Sequence, residues 1–176
     1  MISSKARPLR LPSKSIRAKA ESKALWNEAR SPDCADFFTL GYEGRTTEDL
    51  FAALQGANVQ CVVDIRYNPV SMYRPELSKG NLQKGLERIG CTYFHLREWG
   101  VPREVRAKAV ETGTRETIWE WYDESVIAPH FRRNLHRFLN FGYPVAMLCM
   151  ECDPQECHRH RIFMALESQG LRGCDL

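Results

Sequence analysis

The sequence contains no apolar run of bilayer-spanning length, and its N-terminus lacks the apolar core of a secretory signal. Both absences point to a soluble, cytoplasmic protein with no membrane partner. No internal repeat or low-complexity tract is present, which sets aside repeat architectures. The cysteines do not form an even set: there are seven, at positions 34, 61, 91, 149, 152, 157 and 174. An odd number in a chain too large to need covalent staples implies reduced thiols rather than a disulfide framework. Cys61 and Cys91 sit in apolar, strand-like runs and read as core residues.

With 176 residues, 43% of them hydrophobic and 27% charged, the chain can bury one sizeable core. Its net charge of +3 conceals an uneven distribution. Residues 1–30 carry eight Lys or Arg against two acids, whereas residues 31–176 carry 17 basic and 20 acidic groups. Residues 1–35 therefore read as a basic extension, partly helical or disordered and drawn to phosphates, and residues 36–176 as a single domain. A solvated extension with no specific role is the alternative.

From Phe37 onward, short apolar runs alternate with helical patterns. Strands are expected at 37–40, 60–65, 91–96 and 144–150. Helices are expected from a Thr46 or Thr47 cap, over Leu77 to Ile89, Glu104 to Glu111, Thr117 to Ser125 and Pro129 to Phe141, and from Asp153-Pro154 to about Gln169. This order predicts a Rossmann-like three-layer α/β fold with a mainly parallel sheet and flanking helices. In such a sheet the carboxyl ends of the strands share one edge, where ligands bind. Polar residues recur at those ends: Tyr42 and Glu43, then Asp64 and Arg66, then His95, Arg97 and Glu98, and finally Cys149, Glu151 and Cys157-His158-Arg159. The last group is densest, at a strand, a tight turn and a helix start where backbone amides favour an anion.

Gly41-Tyr42-Glu43-Gly44, Val63-Asp64-Ile65-Arg66 with Asn68-Pro69, and Cys149-x-Glu151 followed by Asp153-Pro154-x-x-Cys157-His158-Arg159 resemble the DUF488 family, a domain of unknown function. The resemblance covers about residues 37–170, and its motifs are specific in combination. It implies the α/β fold and a polar site at Tyr42, Asp64, Arg66, Cys149, Glu151, Cys157, His158 and Arg159, without naming a reaction. The basic extension, Cys152 and the aromatic segment Trp119-Glu120-Trp121-Tyr122 depart from the family pattern.

Residue chemistry leaves several readings open. Glu151 and Asp64 are candidate general bases, able to position water or stabilise a sugar cation during cleavage of a glycosidic bond. Arg66 and Arg159 are candidate phosphate forks, although Asp64 could equally pair with either and fasten two loops. Cys149 and Cys157 are candidate nucleophiles or, alternatively, packing thiols. His158 is a candidate proton shuttle or a cap of its own turn. Tyr42, Trp99 and Arg97 complete the candidate substrate-binding set, with Trp119, Trp121 and Tyr122 as further flat surfaces. Cys149, Cys152, Cys157 and His158 hold enough ligands for a tetrahedral zinc. Against it, positions 157 and 158 would diverge by about 100° on a helix, and Cys149 and Cys152 would face opposite ways on a continuing strand. No metal or other cofactor is therefore expected, and a redox role for Cys149-x-x-Cys152 is disfavoured because such pairs usually open a helix.

The expected function is a nucleic-acid-associated hydrolase acting on a base or nucleotide through a carboxylate-activated water, as in glycosylase-type DNA repair. The basic extension would hold nucleic acid, DNA in preference to RNA. A small-molecule hydrolase or transferase with a cysteine nucleophile and a non-catalytic nucleic-acid-binding module remain the alternatives.

Overall fold

The computed structural model describes residues 32–131 and 144–176. The basic extension up to residue 31, and the predicted Pro129 to Phe141 helix beyond Phe131, lie outside the described residues. Five parallel strands form one sheet in the order β3-β2-β4-β1-β5. They are β1 (Phe37–Gly41), β2 (Cys61–Asp64), β3 (Thr92–His95), β4 (Val145–Cys149) and β5 (Gly173–Asp175). The first four match the predicted runs. All residues of β1, β2 and β4 are buried, as the near-continuous apolar pattern of a strand covered on both faces requires.

Five α-helices are described, with the strands forming a three-layer arrangement. On one face lie α1 (Thr47–Gly56) and α2 (Lys79–Arg88). A capping box starts α1: the Thr46 hydroxyl accepts from the Asp49 amide at 3.0 Å, and the Asp49 carboxylate accepts from the Thr46 amide at 3.2 Å. Leu50 and Leu54 of α1, with Leu82 and Leu86 of α2, pack on Phe38, Leu40, Val62 and Leu148. Each such side chain, fully withdrawn from water, contributes about 1.5–3 kcal/mol of apolar burial before entropy is counted.

The connection from β3 to β4 contains α3 (Arg103–Thr112), α4 (Glu116–Tyr122) and a π-helical stretch from Asp123 to Phe131. Tyr122, Val126 and Phe131 from this segment join α5 (Arg159–Glu167) in covering Phe37, Val63, Val145, Met147 and Cys149 on the opposite face. Pro129, which has no amide hydrogen for a regular helical ladder, lies within the π-helical stretch.

Two elements differ from the sequence expectation. Asp153-Pro154 starts only a 3₁₀ turn, Pro154–Glu156, and not a continuous helix. Cys157 then adopts an extended conformation, φ −116° and ψ 144°, and α5 begins two residues later. The second difference is β5, too short and too polar to register as an apolar run. Gly173 is essential to it: a Cβ there would lie 2.5 Å from the rings of both Phe163 and Phe37.

Strand order locates the crevice. The chain leaves β2 toward β3 on one side of β4, and leaves β4 toward β5 on the other. Loops therefore part at the carboxyl end of β4, where α/β sheets hold ligands.

Candidate active site

Register sets the arrangement at this edge. Gly41 of β1 is paired with Cys149 of β4, and Asp64 of β2 is flanked by Leu148 and His95. The loop after β4 then folds against the end of β1. The amide of Tyr42 donates to the Cys149 carbonyl, that of Glu43 to the Met150 carbonyl, and the Glu43 carboxylate accepts from the Cys152 amide at 3.1 Å. Gly41 permits the approach, because a Cβ at that position would meet the Glu151 carbonyl oxygen at 1.8 Å. The glycine and glutamate of the first motif are thus loop fasteners for the last one.

Arg159 holds the same loop from below. It is fully buried; its Nε donates to Asp175 at 3.0 Å, Nη1 to the Glu151 carbonyl and Nη2 to the Cys152 carbonyl at 2.8 Å. Asp175 in turn accepts from the Thr39 hydroxyl at 2.6 Å. Every guanidinium nitrogen is committed, so the residue that resembled a phosphate fork works here as a clamp on the 151–152 backbone. Asp175 went unremarked in the sequence because its significance comes from strands far away in the chain.

A cluster of soft and ionisable groups sits above that clamp. The Cys149 thiol donates to Glu151 Oε2 at 3.1 Å, and His158 Nδ1 lies 3.9 Å from the sulfurs of both Cys149 and Cys157. His158 Nε2 is 3.3 Å from the Ile65 carbonyl oxygen, and the Arg159 amide donates to the Cys157 sulfur at 3.5 Å. Cys149, Cys157 and His158 are all buried, while Glu151 keeps one edge exposed. Cys152 stands apart from them, half-buried.

Electrostatics divide the two thiols. Burial pushes Cys149 well above its ordinary value, and neighbouring Cys157 and Glu151 add to the rise. Burial alone would do the same to Cys157, but the bond from Cys149 and the charges of His158 and Arg159 outweigh it and bring that thiol well below the ordinary range. Desolvation works to lower His158, yet Cys157 and Glu151 hold it above the usual imidazole value. Glu151 is raised by burial first and by Cys157 second.

The second predicted carboxylate has a different setting. Asp64 is fully buried and accepts from Arg66 Nε at 2.8 Å, Arg66 Nη2 at 2.6 Å, the Arg66 amide at 3.1 Å and the Tyr93 hydroxyl at 2.7 Å. Four donors leave it no spare lone pair for water. Arg66 keeps Nη1 toward the Tyr42 hydroxyl at 3.4 Å, with the Tyr42 ring 5.3 Å from its guanidinium carbon. The structure thus separates the two acids: Glu151 belongs to the cysteine cluster and Asp64 to an anchor for Arg66.

Two clefts open over this edge. One, of about 380 Å³, is lined by Glu151 and His158 together with Arg106, Arg115, Ile118 and Trp119. The other, of about 250 Å³, is lined by Cys149, Tyr42 and Arg66 together with Arg103 and Arg106. The first has the dimensions of a small-ligand site, which begin near roughly 300 Å³, and the second falls just short of them. Arg106 lines both, and its charge works to lower His158. Arg103 and Arg106 escaped the sequence reading. Their spacing of three on the helix after the third strand end was the available signal.

Of the other candidates, Trp99 is buried in the core, its ring 4.6 Å from Phe131 and its carbonyl accepting from the Tyr122 hydroxyl. Arg97 is exposed over the Tyr67 ring at 4.3 Å, in a groove with His95 that adjoins the second cleft through Asn68 and Arg103. Trp119, edge-on to His160 at 4.7 Å, lines the larger cleft.

A family model described as a domain of unknown function, DUF488, matches residues 46–166, more than half of the chain. The match takes in Asp64, Arg66 and the whole cysteine cluster, and leaves out the Gly41–Gly44 motif and Asp175. No curated protein and no solved structure matches the chain.

Proposed function

The chain belongs to the DUF488 family, and from the chemistry of its sheet edge we propose that it is a hydrolytic enzyme for an anionic, base-bearing substrate. A nucleotide or a base within nucleic acid fits that class. The observation that carries this reading is the position of Glu151, with its carboxylate at an arginine-lined cleft and its backbone fixed by Arg159. A base held within reach of a rigid, partly desolvated site can take a proton from water as the water attacks carbon. Arg106, Arg115 and, across the edge, Arg66 and Arg103 supply the positive field that would hold a phosphate. Trp119 offers a flat face to a base. The eight basic residues of the first 30 add a sequence-independent attraction to nucleic acid, with DNA as the preferred partner.

In this mechanism Glu151 removes a proton from water, the hydroxide adds to the electrophilic carbon of the base or of its glycosidic bond, and the proton returns to the departing nitrogen. Release of a modified base would place the reaction with glycosylase-type repair. The test is to incubate the protein with oligonucleotides carrying altered bases, and with free nucleotides, and to follow released base by mass spectrometry. Glu151→Gln is expected to bind as the parent does and to turn over about 10²- to 10⁴-fold more slowly. A parent rate in Glu151→Gln, or no turnover of any base-bearing substrate by the parent, would refute the reading.

A further inference from the structure

We propose that Cys149, Cys157 and His158 bind a zinc ion, with the fourth coordination position beside Glu151. The donor set is one reason. Two sulfurs and an imidazole nitrogen favour a borderline-soft ion with tetrahedral preference, and three protein ligands with one position left over is the usual pattern of a catalytic zinc.

Distance is the second reason. The three ligand atoms lie within 4.8 Å of one another, and Nδ1 of His158 is 3.9 Å from each sulfur. Zinc bonds of about 2.3 Å to sulfur and about 2.0–2.1 Å to nitrogen give tetrahedral edges of about 3.6 Å between sulfur and nitrogen and about 3.8 Å between sulfurs. Each sulfur–nitrogen pair has to close by about 0.3 Å and the sulfur–sulfur pair, bounded by 4.8 Å, by at most about 1 Å, shifts that side-chain torsions supply.

The surroundings are those of a supported metal centre. A ligating histidine commonly gives its other ring hydrogen to a backbone carbonyl, which fixes the tautomer. Here Nε2 has the Ile65 carbonyl at 3.3 Å, leaving the Nδ1 lone pair for the ion, although Nε2 is also 4.0 Å from the Cys149 sulfur. The Arg159 amide donates to the Cys157 sulfur, as amides do to bound thiolates. Charge also balances, since two thiolates and a neutral imidazole leave Zn²⁺ neutral in a site where all three ligands are buried.

The backbone explains why adjacent residues can both be ligands. On one helix Cys157 and His158 would diverge, but Cys157 is extended after the 3₁₀ turn and His158 precedes α5. The Arg159 clamp on the Glu151 and Cys152 carbonyls then holds the ligand loop in place. Cys152, fastened through its amide to Glu43, takes no part.

The catalytic use of the ion rests on the hydrolytic reading; its binding does not. A water on the fourth position would be acidified by the metal, lose its proton to Glu151 and attack as hydroxide. The same proton would leave with the departing group, so the balance is that of hydrolysis.

The experiment is elemental analysis of the full chain purified under reducing conditions without chelator, followed by zinc removal and cobalt titration monitored by absorbance. Stoichiometric zinc is expected, and cobalt should give the intense visible bands of a tetrahedral ion with thiolate charge-transfer absorption. Cys149→Ser and Cys157→Ser should each cut the charge-transfer intensity by about half, whereas Cys152→Ser keeps it whole. Should the ligand variants fail to fold by circular dichroism, competition of the parent against a zinc chelator decides the matter. Sub-stoichiometric, weakly held metal, an octahedral cobalt spectrum, or loss of metal in Cys152→Ser would each overturn the assignment. Bound zinc without turnover of any base-bearing substrate refutes the proposed function and leaves the centre standing. Glu151-dependent turnover by protein stripped of its zinc refutes the catalytic use of the ion alone.

Discussion

Arg66 turns back on Asp64, two residues before it, and grips both carboxylate oxygens with Nε and Nη2 at 2.8 and 2.6 Å. Asp64 is fully buried and Arg66 nearly so. Removing one partner of such a pair strands the other charge away from water, which costs about 3–5 kcal/mol. Asp64→Asn is therefore expected to lower stability by that order in urea or thermal unfolding. A variant as stable as the parent would mean that the pair is not an anchor, and would return Asp64 to the candidate bases.

Thiol accessibility separates the cysteines. Among those whose side chains are described, Cys152 is half-buried and Cys61, Cys91 and Cys174 are buried. Desolvation pushes the Cys61 thiol up to about 11, so about a thousandth of it is ionised at pH 8. Iodoacetamide applied to the native protein should label Cys152 and spare Cys61, Cys91 and Cys174, with all of them labelled after denaturation. Peptide mapping by mass spectrometry reads the outcome, and rapid native labelling of Cys61 would contradict the packing described.

The basic extension yields a salt-dependent prediction. Neutralised phosphates release counterions, so log affinity falls with log salt by roughly 0.9 per contact on duplex DNA. Deleting residues 1–30 should weaken binding to a labelled duplex and flatten that slope by several units. An unchanged slope in fluorescence anisotropy would remove the extension from the interface.

The Asp36–Arg172 pair joins the approaches to β1 and β5: the Arg172 amide donates to Asp36 at 2.8 Å and its Nε at 3.2 Å. Hydrogen bonds from the Arg172 side chain and backbone hold the Asp36 carboxyl below its ordinary value. A depressed folded value means stability that is complete above the unfolded value of about 3.9 and fades as the pH falls through the folded one. Asp36→Asn should thus melt below the parent at pH 7, with the gap narrowing as the pH falls below about 3.9. A constant difference in Tm across that range would assign the effect to something other than the charge.

The sequence by itself determined the elements whose rules are local. Phe37 to Leu40, Cys61 to Asp64 and Val145 to Cys149 were legible because they carry the apolar content of strands between covering helices, and Thr92 to His95 was legible as a strand although it lies half-exposed at the sheet edge. The start of α1 was legible because Thr46 and Asp49 meet within a single turn. Parallel strands with one shared carboxyl edge then indicated where polar residues would gather. Tertiary structure decided what those residues do there. Asp64 and Glu151 both close strands, yet Arg66 and Tyr93 surround the first and the cysteine cluster the second, and no periodicity carries that distinction. Arg159 became a clamp through Asp175, on a three-residue strand recognisable only once Thr39 and Gly173 are in position. Cys157 and His158 converge because one extended residue interrupts the helix that Asp153-Pro154 announced. Propensity and capping act over a few residues, whereas the fate of a buried charge or thiol is set by partners dozens of positions away, and only the folded chain brings those partners within bonding distance.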